Sequence, residues 1–194
     1  SENNVFERFF KASLKYKSKY IVRLTSDCPL VDPSMIESMI DIISRKKLEY
    51  ISNTSPPTFP DGLDIEIFDT SLLKYFSKKN LSPQEKEHVT LCIKKMKSIK
   101  KGNLFSTIDM SESRITVDYK SDLKILQKLS KKKDLKKITY NEICKYLREI
   151  NEKNSLRNEK LMRNKTQKMW LKANKFIPGG NSLLSKNPKI YDEE

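Results

Sequence analysis

The sequence has few of the residues that mark several large classes of protein. Its 194 residues include 4 glycines, 3 cysteines and 1 histidine, so neither a P-loop nor a G-x-G-x-x-G motif can be written and no disulfide framework is expected. No apolar run approaches the length that a bilayer requires, so we expect no membrane span. Cys28, Cys92 and Cys144 are too far apart for metal-ligand spacing, and a reducing cytoplasm is the expected location.

Arginine is also scarce, although the chain is strongly basic. Lysine and arginine total 39 against 25 acidic residues, which gives a net charge of +14, and 7 of the 39 are arginine. Bidentate recognition of phosphate and guanine favours arginine, so the lysine-rich excess predicts a solvated surface and no nucleic-acid partner. On charge alone, a salt-sensitive binder of nucleic acid or another anionic surface is the alternative.

Helices and short apolar strands alternate over about the first 150 residues, which predicts an α/β fold with a layered sheet. From 151 to 175 the chain is almost entirely polar, which predicts a linker or an exposed helix. The predicted strands are 20–25, 49–53, 63–68, 104–108 and 114–117, and the predicted helices are 4–18, one from Pro33 onward, 82–97, 120–129 and 139–150.

Two aspartates follow apolar runs, at the positions where ligands bind in open α/β sheets. They are Asp27 and Asp118. Two carboxylates about 4 Å apart repel by roughly 4 kcal/mol at an effective dielectric constant near 20, and a divalent cation would remove that cost. Oxygen ligands without histidine or cysteine suit Mg²⁺. The alternative is that each aspartate caps a turn or a helix.

Three further groups are candidates for contact with a substrate. Asp64 and Glu66 alternate with apolar residues, next to Asp61 and Gly62, and carboxylates accept hydrogen bonds from sugar hydroxyls. An ordinary half-exposed strand has the same alternation. His88 is the single histidine and stands among acidic residues, a setting more typical of a surface residue than of a general base.

Four motifs, in order along about 100 residues, resemble a known family. They are RLTSDCPLVDP at 23–33, SNT at 52–54 with PDGLDIEIF at 60–68, EHVT at 87–90 and TVDYKSDL at 116–123. The matching family segments are R-x-T-x-D-x-P-L-x-D-P, S-N-T with P-D-G-L-D-V-E-V-F, E-H-V-T and T-V-D-x-P-x-D-L. The family is the cytidylyltransferases of the spore coat polysaccharide biosynthesis protein F type, relatives of the acylneuraminate and deoxy-octulosonate cytidylyltransferases.

The resemblance implies a nucleotide-diphospho-sugar transferase fold, a Rossmann-like mixed sheet between helices. It implies transfer of CMP from CTP to a sugar phosphate or sugar acid in surface polysaccharide biosynthesis, with release of pyrophosphate and use of Mg²⁺. It also allows a homodimer. By analogy Asp27 and Asp118 would be the catalytic metal ligands, and the residues around the acceptor sugar would be Asp61, Gly62, Asp64, Glu66 and His88.

One family segment has no counterpart here. The family opens with a strand and a phosphate-binding loop of the form A-R-x-x-S-x-R-L-P-x-K, and nothing like it occurs in this sequence. Because residue 1 stands just before a predicted helix, we expect the chain to be an N-terminally incomplete cytidylyltransferase fold and a poor catalyst by itself. In addition, Tyr119 and Lys120 replace the usual proline after the second aspartate.

A second resemblance covers the end of the chain. Residues 168–182, KMWLKANKFIPGGNS, resemble the W-x-x-A-x-x-x-I-P-G-G-x-x-S entry segment of glutamate-1-semialdehyde aminomutase-type class III aminotransferases. Those enzymes hold pyridoxal phosphate through a lysine far downstream, so this chain would not bind it. A helix that ends at a Pro-Gly-Gly stop is the alternative.

The predicted organisation has three parts. Residues 1–150 are the C-terminal two-thirds of a cytidylyltransferase-like domain, 151–167 a basic polar linker or helix, and 168–194 the start of an aminotransferase-like domain. Two alternative functions stay open. The first is a metal-dependent glycosyltransferase of similar fold. A D-x-D pair at a strand end would favour it, and the segment at Asp27 lacks such a pair. The second is a non-catalytic remnant or binding module, which the missing phosphate loop would predict.

Overall fold

The structure is a computed structural model that describes residues 4–173. The chain divides into two compact units, residues 1–144 and 145–194. The sheet and all the candidate site residues belong to the first unit. The described part of the second unit is the continuation of the last helix. The helices and strands, in chain order, are α1 Val5–Lys15, β1 Tyr20–Arg23, α2 Pro33–Arg45, β2 Tyr50–Ser52, β3 Glu66–Asp69, α3 Thr70–Phe76, α4 Pro83–Glu87, α5 Leu91–Lys95, β4 Lys101–Asn103, α6 Lys120–Ser130 and α7 Tyr140–Ala173.

The four strands form one mixed sheet in the order β1-β3-β2-β4. Strand β3 is antiparallel to both β1 and β2, and β4 is parallel to β2. Strands β1, β2 and β4 therefore run in the same direction and end at the same edge of the sheet. Arg23 and Ser52 both lie opposite Glu66 in the register, so the first residue of β3 also stands at that edge.

Apolar residues cover both faces of the sheet, as the alternation of side chains along a strand requires. Phe68 packs with residues of α1, α3 and α5 on one face, and Ile67 packs with α2 on the other. Helix α2 begins as the sequence predicts, since the Asp32 carboxylate accepts a hydrogen bond from the Ser34 N–H at 2.9 Å and Pro33 occupies the first turn. The predicted α/β fold is confirmed.

Several predicted boundaries are wrong for identifiable reasons. The strand expected at 63–68 begins only at Glu66. Before it, the Asn53 side chain bonds the backbone of Leu63 and Ile65 at 2.7 and 2.8 Å, and the Asn53 N–H makes a single backbone bond to the Ile65 carbonyl at 3.3 Å. The strand expected at 104–108 is instead Lys101–Asn103. A Cβ at Gly102 would lie 2.6 Å from the Leu48 side chain, so glycine allows this close approach despite its low strand propensity.

Three other expectations differ from the structure. Residues 114–117 form no strand; this segment has one isolated parallel bridge, between Asp61 and Arg114. The helix expected at 82–97 is divided into α4 and α5 at His88. The last helix continues to Ala173 instead of ending near 150, so residues 151–173 are helical. No helix among residues 4–173 is both long and apolar enough to cross a bilayer.

Candidate active site

The acidic motifs meet at the edge of the sheet where β1, β2 and β4 end. The segment after residue 112 hydrogen-bonds to two loops. The Asp61 N–H donates to the Ser113 carbonyl at 2.9 Å, the Ile115 N–H donates to the Asp61 carbonyl at 2.7 Å, and the Val117 N–H donates to the Asp27 carbonyl at 2.9 Å. Residues 113–117 therefore join the loop after β1 to the loop before β3, and Asp118 follows directly.

Gly62 is required for this junction. Its φ of +106° is one that other residues rarely adopt, and a Cβ there would lie 2.3 Å from the Thr116 backbone nitrogen. The Thr116 hydroxyl in turn donates to the Asp27 carbonyl at 3.0 Å. The sequence suggested that Gly62 borders the acceptor sugar; the structure adds a packing role, because glycine lets the two backbones approach.

Glu66 lies at the centre of a buried polar network. Its side chain accepts hydrogen bonds from Tyr50 at 2.7 Å and from Thr90 at 2.9 Å, and it pairs with Arg23 at 2.6 Å and Lys94 at 2.7 Å. The residue is 3% exposed. These partners occupy the acceptor capacity of both oxygens.

The two cations decide the charge state of Glu66. Burial by itself would raise the pKa of Glu66, but Lys94, Tyr50 and Arg23 outweigh burial and lower it below the ordinary value. Glu66 is therefore an anion that holds two cations and two hydroxyls in place. Its oxygens are committed to protein groups, so it orients the side chains around it.

Asp64 is in the opposite situation. It is half-buried, and among the described residues its carboxylate has no hydrogen-bond or ion-pair partner. Burial raises its pKa, and the negative charges of Asp61, Glu66 and Asp27 raise it further. A partly desolvated carboxylate with a raised pKa is suited to accept a hydrogen bond or a proton from a hydroxyl group.

Arg114 gathers three carboxylates at the same edge. It pairs with Asp61 at 2.6 Å, with Asp118, and more distantly with Asp122 at 3.4 Å. Asp122 also accepts hydrogen bonds from the Asp118 and Tyr119 N–H groups, both at 3.0 Å, which caps the start of α6. Those two N–H groups and Arg114 hold the pKa of Asp122 below its ordinary value. The cluster carries one positive and three negative charges.

The carboxylate oxygens of Asp27 and Asp118 are the type of ligand that Mg²⁺ prefers. Asp27 and Asp118 offer carboxylate oxygens on segments that the Asp27–Val117 hydrogen bond keeps adjacent. Among the described residues, no three or more histidine, cysteine or acidic side chains are arranged to hold a metal ion. Mg²⁺ uses one or two carboxylates with substrate phosphates and water, so a pair of aspartates without a closed cage fits it.

His88 stands at the margin of this group. It is exposed at the end of α4, and its backbone carbonyl accepts a hydrogen bond from the Leu91 N–H at 2.8 Å. Thr90, two residues later, reaches Glu66. No side-chain contact found within residues 4–173 joins His88 to the carboxylates.

A cavity of about 510 Å³ lies between α1 and the end of β1. Arg8 and Arg23 line it together with Thr25 and Ser26. Glu66 holds Arg23 by one guanidinium nitrogen, which leaves other N–H donors of that side chain for a ligand. Two guanidinium groups and two hydroxyls are chemically suited to an anion.

The residues missed by the sequence analysis include Arg8, Arg23 and Arg114, together with Lys94, Tyr50, Thr90 and Asp122. Arg23 and Arg114 stand inside or beside the quoted motifs, yet the roles assigned from the sequence went to acidic residues, Gly62 and His88. The scarcity of arginine is the signal that could have identified these arginines. In a chain with 7 arginines and 32 lysines, an arginine marks a position where planar, multidentate pairing matters.

Comparison with protein families identifies the motif-bearing segment. Residues 1–166 match the family described as cytidylyltransferase. The spore coat polysaccharide biosynthesis protein SpsF of Bacillus subtilis is 29% identical over 136 residues, which are 68% of this chain and 55% of that protein. An uncharacterized protein of Methanocaldococcus jannaschii is 28% identical over 155 residues, which are 76% of this chain and 60% of that protein.

A solved structure has the same fold. The cytidylyltransferase from Leptospira borgpetersenii serovar Hardjo-bovis is 30% identical, with a TM-score of 0.70 over 79% of this chain and 64% of that one. This likeness confirms the predicted nucleotide-diphospho-sugar transferase fold. The chain spans 55% and 60% of the length of these two curated relatives.

Proposed function

The chain belongs to the cytidylyltransferase family, and from this membership we propose that it serves the transfer of CMP from CTP to a sugar phosphate or a sugar acid in surface polysaccharide biosynthesis. One observation carries the proposal. The segment 113–117 hydrogen-bonds to Asp27 and to Asp61, so motifs about 90 residues apart come together at one edge of the sheet.

Asp27 and Asp118 are the proposed ligands of Mg²⁺. Its contribution there would be to neutralise charge at the attacked α-phosphate and on the leaving pyrophosphate. The chain's own task is to keep the two carboxylates adjacent. The Val117–Asp27 hydrogen bond and the Thr116 hydroxyl on the Asp27 carbonyl support this arrangement.

The phosphates of CTP are proposed to bind beside Arg8 and Arg23. The cavity that these side chains line lies next to the loop that carries Asp27, so an anion there would be close to the proposed metal ligand. Glu66 positions Arg23, which explains why a buried carboxylate occurs so near an anion site.

The acceptor sugar is proposed to bind on the side of Asp64. With a sugar acid as acceptor, the half-buried Asp64 carboxylate would accept a hydrogen bond, and then the proton, from the hydroxyl that attacks the α-phosphate as pyrophosphate leaves. A sugar phosphate would attack through an ionised phosphate oxygen and would need no such base. Asp61 and His88 would border the same sugar, and Gly62 would keep the Asp61 loop in place. The aminotransferase-like start at 168–194 stays a prediction, and residues 174–194 lie outside the described part of the chain. A lysine far downstream would hold the pyridoxal phosphate of such a domain, so the cofactor is not assigned to this chain.

The test is to measure CTP binding by calorimetry and pyrophosphate release with Mg²⁺ and a panel of sugar phosphates and sugar acids. Because the chain spans 55% and 60% of two relatives, the assay is run on this chain and on a version extended with a relative's opening segment. We expect Asp118→Asn to abolish release while Asp134→Asn, an exposed aspartate away from the site, leaves it unchanged. Absence of binding and release in both folded proteins would refute the proposal.

A further inference from the structure

We propose that Arg114 is a positioning residue that holds Asp118 as an internal counter-ion and yields it when a divalent cation binds, so that Arg114 sets the affinity of the chain for that cation. The inference rests on the proposed role of Asp118 as a metal ligand. It assigns a role to Arg114 that none of the motifs suggested.

The contacts of Arg114 place it in competition with a cation. One guanidinium nitrogen pairs with Asp61 at 2.6 Å, and another contacts Asp118 and lies 3.4 Å from Asp122. A carboxylate oxygen engaged by a guanidinium has less capacity to coordinate a metal ion. Arg114 engages Oδ2 of Asp118. Binding of Mg²⁺ through this oxygen therefore requires the contact to loosen or break, and the guanidinium charge opposes a cation at either oxygen.

The cluster of Arg114 and its three carboxylates has a net negative charge. Three carboxylates share one guanidinium, which leaves an excess of two negative charges. A divalent cation would neutralise that excess, whereas a second monovalent partner would not. This balance favours a divalent ion as the competitor of Arg114 over a lysine or a monovalent ion.

Arg114 can release Asp118 without losing its place. Its side chain is 40% exposed, and Asp61 and Asp122 remain as partners after the release. The Tyr119 ring, with its centroid 5.8 Å from the guanidinium carbon, offers a further favourable surface. A released guanidinium nitrogen also becomes a donor for a phosphate oxygen of a bound substrate.

The charge of Arg114 gives the expected size of the effect. A unit charge about 6 Å from a divalent ion changes the ion's affinity by roughly tenfold in water, and physiological salt reduces this factor. Replacing Arg114 by a neutral residue should therefore tighten divalent-ion binding by about three- to tenfold. Arg114→Lys keeps the charge and should bind within about twofold of the wild-type chain.

The experiment is a titration with Mn²⁺, followed by the electron paramagnetic resonance signal of the free ion, with and without CTP. The proteins are the wild-type chain, Arg114→Gln, Arg114→Lys and Asp118→Asn. The matched control is Arg45→Gln, because Arg45 forms an exposed pair with Asp41 four residues away, as Arg114 does with Asp118. We expect tighter binding in Arg114→Gln alone and loss of binding in Asp118→Asn.

The outcomes separate this inference from the proposed function. Equal Mn²⁺ affinity in wild type and Arg114→Gln, with loss in Asp118→Asn, overturns the role of Arg114 and leaves the metal ligand intact. Undiminished binding in Asp118→Asn, or no binding in any protein, overturns both the metal assignment and this inference. CTP binding in the same samples reports separately on the family's nucleotide. Circular dichroism spectra confirm that each variant is folded.

Discussion

Two arginine–carboxylate clusters lie at the same edge of the sheet and differ in which charge is in excess. In the buried cluster one carboxylate, Glu66, is shared by two cations, Arg23 and Lys94. In the exposed cluster one cation, Arg114, is shared by Asp61, Asp118 and Asp122. In the first cluster the shared carboxylate is itself buried, at 3% exposed. In the second cluster Asp61 and Asp118 are about half exposed, and one guanidinium serves three carboxylates.

The difference in burial and charge between the two clusters distinguishes a cluster that stabilises the fold from one whose members can exchange partners with a ligand. Removing one member of a buried charged network leaves the others desolvated without a partner, which is costly. Exposed pairs lose little because water replaces the partner. The buried cluster is therefore expected to support the fold and to orient Arg23, and the exposed cluster to exchange partners with ligands. The following variants test this comparison.

Glu66→Ala should have the largest effect on stability. It leaves Arg23, Lys94, Tyr50 and Thr90 without their common acceptor, and we expect the free energy of unfolding to fall by about 3–5 kcal/mol. Urea denaturation measures it. Glu66→Gln keeps the size and one acceptor oxygen and should cost less. A loss below about 1 kcal/mol in Glu66→Ala would remove the distinction between the clusters.

Gly62→Ala should come next, because it breaks the junction that brings the clusters together. The positive φ and the clash with the Thr116 backbone should cost about 2–4 kcal/mol. Gly102→Ala is the matched control, since the one close approach of the added Cβ is to the end of the Leu48 side chain, which can move, and its contacts with Ile51 are of ordinary van der Waals length. Thermal unfolding of both variants measures the two effects. Equal losses of stability at Gly62 and Gly102 would contradict the proposed requirement for glycine at position 62.

Asp64→Asn should stabilise the chain at neutral pH, because it removes a half-buried negative charge that neighbouring carboxylates repel. The pKa of Asp64 is raised above its ordinary value of 3.8, so the folded state binds more protons and stability falls as pH rises through the interval between 3.8 and the raised pKa. The gain from Asp64→Asn should therefore disappear below that interval.

Glu66 should respond to acid in the opposite direction. Its pKa is lowered below 4.5, so its contribution is complete above pH 4.5 and is lost as pH falls through the lowered pKa. Urea titrations of wild type, Asp64→Asn and Glu66→Gln between pH 3 and 7 measure both trends. Parallel pH profiles for the two variants would show that both carboxylates share one environment.

Arg114→Gln should have the smallest effect on stability, because its pairs are exposed to solvent. Arg45→Gln, which breaks the exposed pair with Asp41, should cost a similar amount. Differential scanning calorimetry compares the two variants. A loss as large as that of Glu66→Ala would mean that the exposed cluster is also structural, and Arg114 would then be unsuited to exchange Asp118 for a cation.

Local sequence signals were sufficient for the class of fold and for the starts of α1, α2, α4, α6 and α7, whereas α3 and the separate start of α5 were not predicted. The helices predicted from Pro33 and from residue 82 begin as α2 and α4, and Ser82 and Glu85 form a capping box at the start of α4. The order of the four motifs led to the family. Strand bounds were less predictable, because β4 contains Lys-Gly-Asn and the backbone before β3 hydrogen-bonds to the Asn53 side chain.

The sequence by itself determined the α/β class, the family and the acidic residues of the candidate site, because each depends on nearby residues or on an ordered set of motifs. Only the tertiary structure decided what those acids contact. Glu66 meets an arginine 43 residues away, and Asp61 meets one 53 residues away. Nothing in local spacing distinguishes these two carboxylates. Burial and the number of cations around each make one a support of the fold and leave the other open to a ligand.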